Sequence, residues 1–257
     1  MSLPFLQILD LEMRFGGLVA IDNLHIEIKE GAIFGLIGPN GAGKTTVFNC
    51  ISRFCEPEKG KILFNGENIL DNKPHDIPRL GIARTFQNLE LFGEMNTLDN
   101  LLVAKHIFLR KGTLAGAVLT RRCRDEEIRI RKEAEEVIQF LGLSEFRDEI
   151  VSNLPHGIQK LVELGRALSL SPKLLLLDEP AAGMNPKEVQ SVMEIIRQVS
   201  RKRGITILLV EHNMGVVMDL CDQICVMEQG KRIAFGTPVS IQTDPLVIEA
   251  YLGKKAD

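Results

Sequence analysis

The run Gly38-Pro39-Asn40-Gly41-Ala42-Gly43-Lys44-Thr45-Thr46 fits the pattern G-x-x-x-x-G-K-[ST] at every position. These residue types suit a phosphate cradle. Gly41, Ala42 and Gly43 leave their N–H groups open to phosphate oxygens. A helix starting just after them adds further free N–H groups and a partial positive charge. Lys44 reaches β- and γ-phosphates, and the Thr45 hydroxyl can ligand Mg²⁺. Further along, Leu174-Leu175-Leu176-Leu177 runs into Asp178-Glu179. Such a run reads as a buried strand whose carboxyl end carries two carboxylates, the place where open parallel sheets bind ligands. Asp178 is expected to hold Mg²⁺, directly or through water, and Glu179 to take a proton from, or orient, the water attacking the γ-phosphate. An acidic pair after a leucine run is in isolation an ordinary strand end, and the phosphate loop upstream is what favours the chemical reading. His212 follows the next apolar run, Ile205 to Val210, and is expected on the same sheet edge, facing the γ-phosphate. A histidine without that context would read as structural or solvated. Gln87 ends another predicted strand, where its amide can meet Mg²⁺ or the attacking water; spacing alone supports a structural role equally well. Phe15 precedes a Gly-Gly turn and can stack on adenine, although without the loop it would read as core.

The elements that must position these groups are legible in the hydrophobic pattern. Ile33 to Ile37 reads as a buried strand and Thr45 to Ile51 as a helix, the context the phosphate loop requires. Before them, Phe5 to Met13 alternates as a strand, Phe15-Gly16-Gly17 turns, and Leu24, Ile26 and Ile28 mark a half-buried strand. This opening predicts a small antiparallel layer leading into a parallel core. Lys61 to Phe64 is a strand followed by the tight-turn pair Asn65-Gly66, and Ile82 to Phe86 is a further short strand. From Leu98 to Leu143 the pattern is helical, with Lys111 to Thr120 a Gly-containing interruption. Ile130, Ala134, Val137, Ile138 and Leu141 form one apolar face, and the charged run Arg121 to Lys132 reads as solvated helix, or alternatively as a docking surface. Leu154-Pro155-His156-Gly157 interrupts the pattern before a helix with Leu161, Leu164, Ala167 and Leu168 inward, which Pro172 stops. Asn185-Pro186 is a capped helix start, Gln223 to Phe235 a closing hairpin around Gln229-Gly230, and two short helices finish the chain.

Composition narrows the function classes. The chain has 257 residues, 45% of them hydrophobic, enough for a sizeable core. Its 31 basic and 34 acidic residues leave no global basic field for nucleic acid, and one tyrosine with no tryptophan makes a poor stacking platform for bases. The cysteines, Cys50, Cys55, Cys123, Cys221 and Cys225, form no C-x-x-C pair, so reduced thiols are expected rather than a metal site. No apolar run reaches membrane-spanning length, and Met1-Ser2-Leu3-Pro4 does not read as the start of a signal peptide. A membrane role would therefore act through a partner.

Taken in order, these residues resemble the ATP-binding cassette (ABC) ATPases over almost the whole chain. The resemblance implies an α/β P-loop NTPase (RecA-like) core with an antiparallel β layer and an inserted helical lobe. It implies a single domain over residues 1–257, with residues 1–87 and 171–257 as nucleotide-binding core and 88–170 as helical lobe. It assigns Phe15 to adenine stacking and Gly38, Asn40, Gly41, Ala42, Gly43, Lys44, Thr45 and Thr46 to ATP. Asp178, Thr45 and Gln87 fall to Mg²⁺, and Glu179, His212 and Gln87 to catalysis. In this family two cassettes sandwich two ATPs head to tail, the signature motif of one facing the γ-phosphate held by the other.

The signature departs from the usual Leu-Ser-Gly-Gly-Gln. Here it reads Leu154-Pro155-His156-Gly157-Ile158, and Pro155 supplies neither a hydroxyl nor an N–H. Gly157 and the helix start remain as N–H donors for phosphate. Asn185 stands where many cassettes have Asp. These departures, the run Glu179 to Glu188, the long insert before the signature and the ending Gly236-Thr237-Pro238 … Asp244-Pro245 … Tyr251-Leu252-Gly253 are similar to the LivG-type ATPases of branched-chain amino acid importers. That likeness implies a peripheral subunit on the cytoplasmic face of the membrane. Its partners would be a second ABC ATPase, identical or related, two permease subunits and, indirectly, an extracytoplasmic binding protein, with no nucleic acid. A short permease helix is expected near residues 88–97, with Leu89, Leu91, Phe92 and Met95 as apolar candidates, some of which also read as core. A lipopolysaccharide-export ATPase and a soluble, non-transport ABC ATPase are the alternatives, and Glu179 argues against a module that binds without hydrolysing.

Overall fold

The computed structural model describes residues 4–86, 89–105 and 121–252. Gln87 and the expected interruption at 111–120 lie outside the described residues. Two sheets are built from the alternating segments. One is antiparallel, in the order β2 (Leu18–Ile28), β1 (Leu6–Phe15), β4 (Lys59–Phe64), β5 (Glu67–Asn68). The other has the order β10 (Lys231–Gly236), β9 (Gln223–Glu228), β3 (Ile33–Ile37), β8 (Thr206–Val210), β7 (Leu174–Asp178), β6 (Ile82–Arg84). All its pairings are parallel except the β9–β10 hairpin.

The central strands β3, β8 and β7 are buried throughout and apolar except at Thr206 and Asp178, because both their faces are covered. Period-two alternation then divides their side chains between two cores. Phe34, Leu36, Leu174, Leu176, Leu208 and Val210 face the antiparallel sheet and the helix α1 (Lys44–Ile51). Ile33, Ile37, Leu175, Leu177, Ile207 and Leu209 face the other way. There they join the apolar faces of α2 (Thr97–Lys105), α3 (Arg121–Phe140), α4 (His156–Ser169), α5 (Pro186–Arg203) and α6 (Met214–Leu220). The expected face of α3 is buried, from Ala134 at 0% exposure to Ile130 at 8%, and Arg124, Asp125, Glu127, Arg129, Arg131 and Lys132 lie toward solvent. The short α7 (Pro238–Gln242) and α8 (Pro245–Leu252) close the chain.

Several boundaries differ from the sequence expectation for local reasons. The strand at Ile82 ends at Arg84: the Thr85 N–H still donates to the Leu176 carbonyl of β7 at 2.9 Å, but the Phe86 N–H donates to Glu163 rather than to a strand. His156 and Gly157 do not interrupt α4 but form its first turn, with Pro155 at the N-cap. Pro tolerates that position because the missing N–H has no intrahelical partner there. The α6 helix was not evident in the pattern; Asn213 caps it, its side chain accepting from the Gly215 and Val216 N–H groups. At Asn185 the expected cap is a full capping box, with Glu188 returning a bond to the Asn185 N–H.

Cys50, Cys221 and Cys225 are buried, and burial pushes each thiol up to about 12. Cys55 is only partly buried. Alkylation of the folded protein at neutral pH is therefore expected to label Cys55 ahead of these three, with all four reacting in urea. Native labelling of Cys221 or Cys225, read by mass spectrometry, would contradict this packing.

Candidate active site

The loop between β3 and α1 is shaped by close backbone approach. At Gly38, φ is +149°, and an added Cβ would lie 2.0 Å from the Met227 carbonyl oxygen. At Gly43, φ is +102°, and a Cβ would lie 2.3 Å from the Ala20 carbonyl oxygen. The Gly230 N–H donates to the Ala42 carbonyl at 3.1 Å, and the Asp22 N–H to the Gly230 carbonyl at 3.0 Å. The loop is thus held between the antiparallel layer and the β9–β10 turn. Inside it, Lys44 Nζ donates to the carbonyls of Gly38 at 2.7 Å and Pro39 at 3.0 Å. Burial lowers the Lys44 pKa, while the Glu179 and Asp178 carboxylates push it back up. An ammonium resting on carbonyls beside a cavity has donors to give to phosphate.

That cavity is about 350 Å³. Its walls include the loop from Asn40 to Thr46, Phe15 and Leu18 at one end, and Glu179 and His212. Phe15 is 49% exposed, so its ring is free to stack rather than buried in core. The parallel register sets Asp178 beside Val210 and so delivers the ends of β7 and β8 together. His212 Nε2 lies 2.9 Å from Glu179 Oε1. Glu179 has φ +49°, a left-handed conformation that costs a non-glycine residue about 1 kcal/mol or more. Its N–H is fixed on the Val210 carbonyl at 2.9 Å. Strain at the residue expected to activate water is a common signature of a functional site.

Asp178 is not part of the cavity wall. It is 4% exposed, and its Oδ2 accepts from Arg84 Nη2 at 2.9 Å. Gly157 is also elsewhere, in the first turn of α4, where a Cβ would meet the Glu188 carboxylate at 3.1 Å. The neighbouring His156 ring packs on Gly183. Phe15, the phosphate loop, Glu179 and His212 are therefore gathered around one cavity, whose lining includes neither Asp178 nor Gly157.

Sequence reasoning missed three polar residues that organise these groups. Glu211 is 4% exposed and accepts from the N–H groups of Ala181 at 2.9 Å, His212 at 3.0 Å and Asn213 at 3.3 Å. It fixes both the turn after Glu179 and the one carrying His212. Glu163 is buried on α4 and accepts from the Phe86 N–H at 2.9 Å, with Lys160 Nζ 3.8 Å away; burial raises its pKa. Arg84 is the third. A charged residue inside a predicted strand was the available signal for Arg84.

A ligand of phosphate and divalent cation fits these residues. The glycine cradle admits no added side chain at Gly38 or Gly43, and Lys44, Thr45, Asp178 and Glu179 offer one ammonium and oxygen donors only. Among the described residues no group of three or more His, Cys, Asp or Glu forms a protein-only metal cage. Mg²⁺ characteristically needs none, since it takes one or two protein oxygens with substrate phosphates and water.

The profile of the family described as "ABC transporter" matches residues 21–182, and that of "Branched-chain amino acid ATP-binding cassette transporter" matches residues 231–257. The chain is 42% identical over 254 residues to the high-affinity branched-chain amino acid transport ATP-binding protein BraF of Pseudomonas aeruginosa, covering 99% of this chain and 100% of BraF. It is 43% identical over 254 residues, with the same coverage, to LivG of Escherichia coli strain K12, a protein of the same description. Among solved structures, a nucleotide-free ATP-binding cassette from an ABC transporter superposes with a TM-score of 0.85 at 32% identity, covering 98% of this chain and 100% of that one. The ADP conformation of the cassette MJ1267 gives 0.84 at 31%, with the same coverage.

The loop geometry makes a contrast. Gly43→Val drives a side chain into the Ala20 carbonyl and is expected to cost about 2–3 kcal/mol or more. Gly41→Ala meets nothing within 4 Å at φ +81° and is expected to cost only about 1 kcal/mol. Urea denaturation checks the order, and equal midpoints for the two variants would contradict it.

Proposed function

The chain belongs to the ATP-binding cassette family of transporter ATPases, and we propose that it powers uptake of branched-chain amino acids through partner permeases. It is an ATP-binding and hydrolysing subunit. The observation that carries the catalytic reading is the single cavity shared by the phosphate loop, Glu179 and His212, the last two 2.9 Å apart. The match of residues 231–257 favours the branched-chain amino acid importers over the lipopolysaccharide-export reading.

In this reading the adenine ring stacks on Phe15. The N–H groups from Asn40 to Thr46 and the Lys44 ammonium receive the phosphates. Lys44 leaves the carbonyls of Gly38 and Pro39 to do so, exchanging neutral acceptors for an anion, which is the stronger hydrogen bond. Thr45, Asp178 and Gln87 are the residues that would hold Mg²⁺, which when bound offsets charge on the β- and γ-phosphates. Glu179 orients the attacking water and accepts its proton, and His212 holds the Glu179 carboxylate in place while meeting the γ-phosphate. Gly157 and the start of α4 serve the ATP of a second cassette, identical or related, in a head-to-tail pair. The core is residues 1–87 with 171–257, and residues 88–170 are the lobe that moves against it.

No described helix is long and apolar enough to cross a membrane. We place the subunit on the cytoplasmic face, bound to permeases that an extracytoplasmic binding protein supplies. The contact is an apolar groove of about 340 Å³ between core and α4, walled by Phe54, Ile77, Phe86 and Phe92. Of the four apolar candidates, Phe92 at 46% and Met95 at 39% are exposed, whereas Leu91 packs against the core.

Glu179→Gln keeps the shape and hydrogen bonding of the side chain and removes the base. ATP binding is expected to survive, with steady-state turnover down on the order of a hundredfold or more; near-normal turnover would remove Glu179 from the role. Phe92→Asp in the reconstituted transporter is expected to leave the isolated subunit's ATPase activity in place and to reduce uptake of branched-chain amino acids. Unaltered uptake per ATP would move the permease contact away from this groove.

A further inference from the structure

Arg84 belongs to none of the motifs used above, yet it joins three parts of the site. It stands at the end of β6, paired in register with Leu176 of β7. Its Nη1 donates to Asn49 Oδ1 at 2.7 Å and its Nη2 to Asp178 Oδ2 at 2.9 Å. The guanidinium lies 5.3 Å from the centre of the Phe48 ring and 5.1 Å from that of Phe86. The Arg84 side chain is 8% exposed and that of Asp178 4%, so water does not substitute for the pair. Asn49 is four residues after Thr45 on α1 and therefore lies one turn below it on the same face.

We propose that Arg84 is a positioning residue for ATP hydrolysis, its two-pronged hydrogen bonding locking the Asp178 carboxylate to the α1 face that carries Thr45. The proposal rests on the reading of Asp178 and Thr45 as the Mg²⁺-side groups. The planar guanidinium fixes two acceptors at once, and the flanking rings restrict its tilt. With Oδ2 committed to Arg84, the carboxylate is held in one rotamer, and Oδ1 is left for the metal shell. Arg84 touches no reacting atom in this scheme; it acts through Asp178. Partners that orient a metal's ligands in this way are commonly worth about 10–100-fold in metal affinity or activity.

The test measures affinity for a fluorescent ATP analogue on the full chain, in Mg²⁺ and in EDTA, together with steady-state ATPase activity titrated against Mg²⁺. Asp178→Asn is expected to lose the Mg²⁺-dependent gain in affinity. Arg84→Met and Arg84→Lys are expected to keep the wild-type affinity in EDTA, lose about 10–100-fold of the Mg²⁺-dependent gain and need correspondingly more Mg²⁺ for half-maximal turnover. The lysine variant keeps the charge and most of the stem, and carries the test if the methionine variant does not fold. It should not rescue, because one ammonium nitrogen cannot span Asn49 and Asp178 in the fork geometry. A wild-type Mg²⁺ response in Arg84→Lys would overturn the proposal by showing that charge and packing suffice. So would an equal loss in Mg²⁺ and EDTA, the mark of a merely structural role. An Asp178→Asn variant that kept its Mg²⁺ gain would instead remove the reading of Asp178 beneath the proposal.

Discussion

The structure depends on backbone passing where no side chain fits. At Gly38 and Gly43 the phosphate loop runs so close to the carbonyls of Met227 and Ala20 that any β-carbon would overlap them. Those two carbonyls belong to different sheets, Ala20 to β2 and Met227 to β9. The loop is therefore the joint at which the antiparallel layer and the parallel sheet are pinned together, and the turn at Gly230 completes the clamp. Glycine here costs chain entropy on folding, and that cost is offset by the two-sided core that the pinning allows. A loop held this way offers its N–H groups in fixed directions before any ligand arrives, which is what makes it a phosphate cradle rather than a flexible turn.

Around this joint each buried charge has a designated partner. Glu211 is satisfied by three N–H groups, Asp178 by Arg84, and Lys44 by two carbonyls. An unpaired buried charge would cost several kcal/mol, so these pairings are conditions for the site to exist at all. Their effect is selective. Asp178 and Glu211 are turned inward, and Glu179, in its left-handed conformation, faces the cavity with His212 against it. Three adjacent carboxylates thus have three different surroundings, from which different tasks follow.

The features with a strict local signature were legible in the sequence. Two-sided burial makes Leu174 to Leu177 uniformly apolar, and the i, i+4 rows of α3 record its packing at Ala134 and Ile138. The phosphate loop is legible because its glycines answer to sterics that few other residues satisfy. What escaped was set by contacts distant in sequence. Arg84 and Asp178 are separated by 94 residues, Phe86 and Glu163 by 77, and neither spacing leaves a periodic mark. The early end of β6 escaped for the same reason, since the Phe86 N–H bonds to Glu163 on α4 and overrides local β propensity. The assignment of Gln87 stays an inference from sequence, because that residue lies outside the described ones.

The end of β6 is where these distant contacts converge. Within three residues, Arg84 bonds to Asp178, Thr85 accepts from the Asp178 N–H at 3.3 Å, and Phe86 donates to Glu163 on α4. The same α4 begins at the signature segment, and its Arg166 donates to the Glu90 carbonyl and lies 5.4 Å from the centre of the Phe92 ring at the groove. A displacement of α4 relative to the core would act on this strand end, because the Phe86 N–H is held by the Glu163 carboxylate of α4. Residues 84–86 therefore connect α4, the groove and Asp178 through a short path of hydrogen bonds.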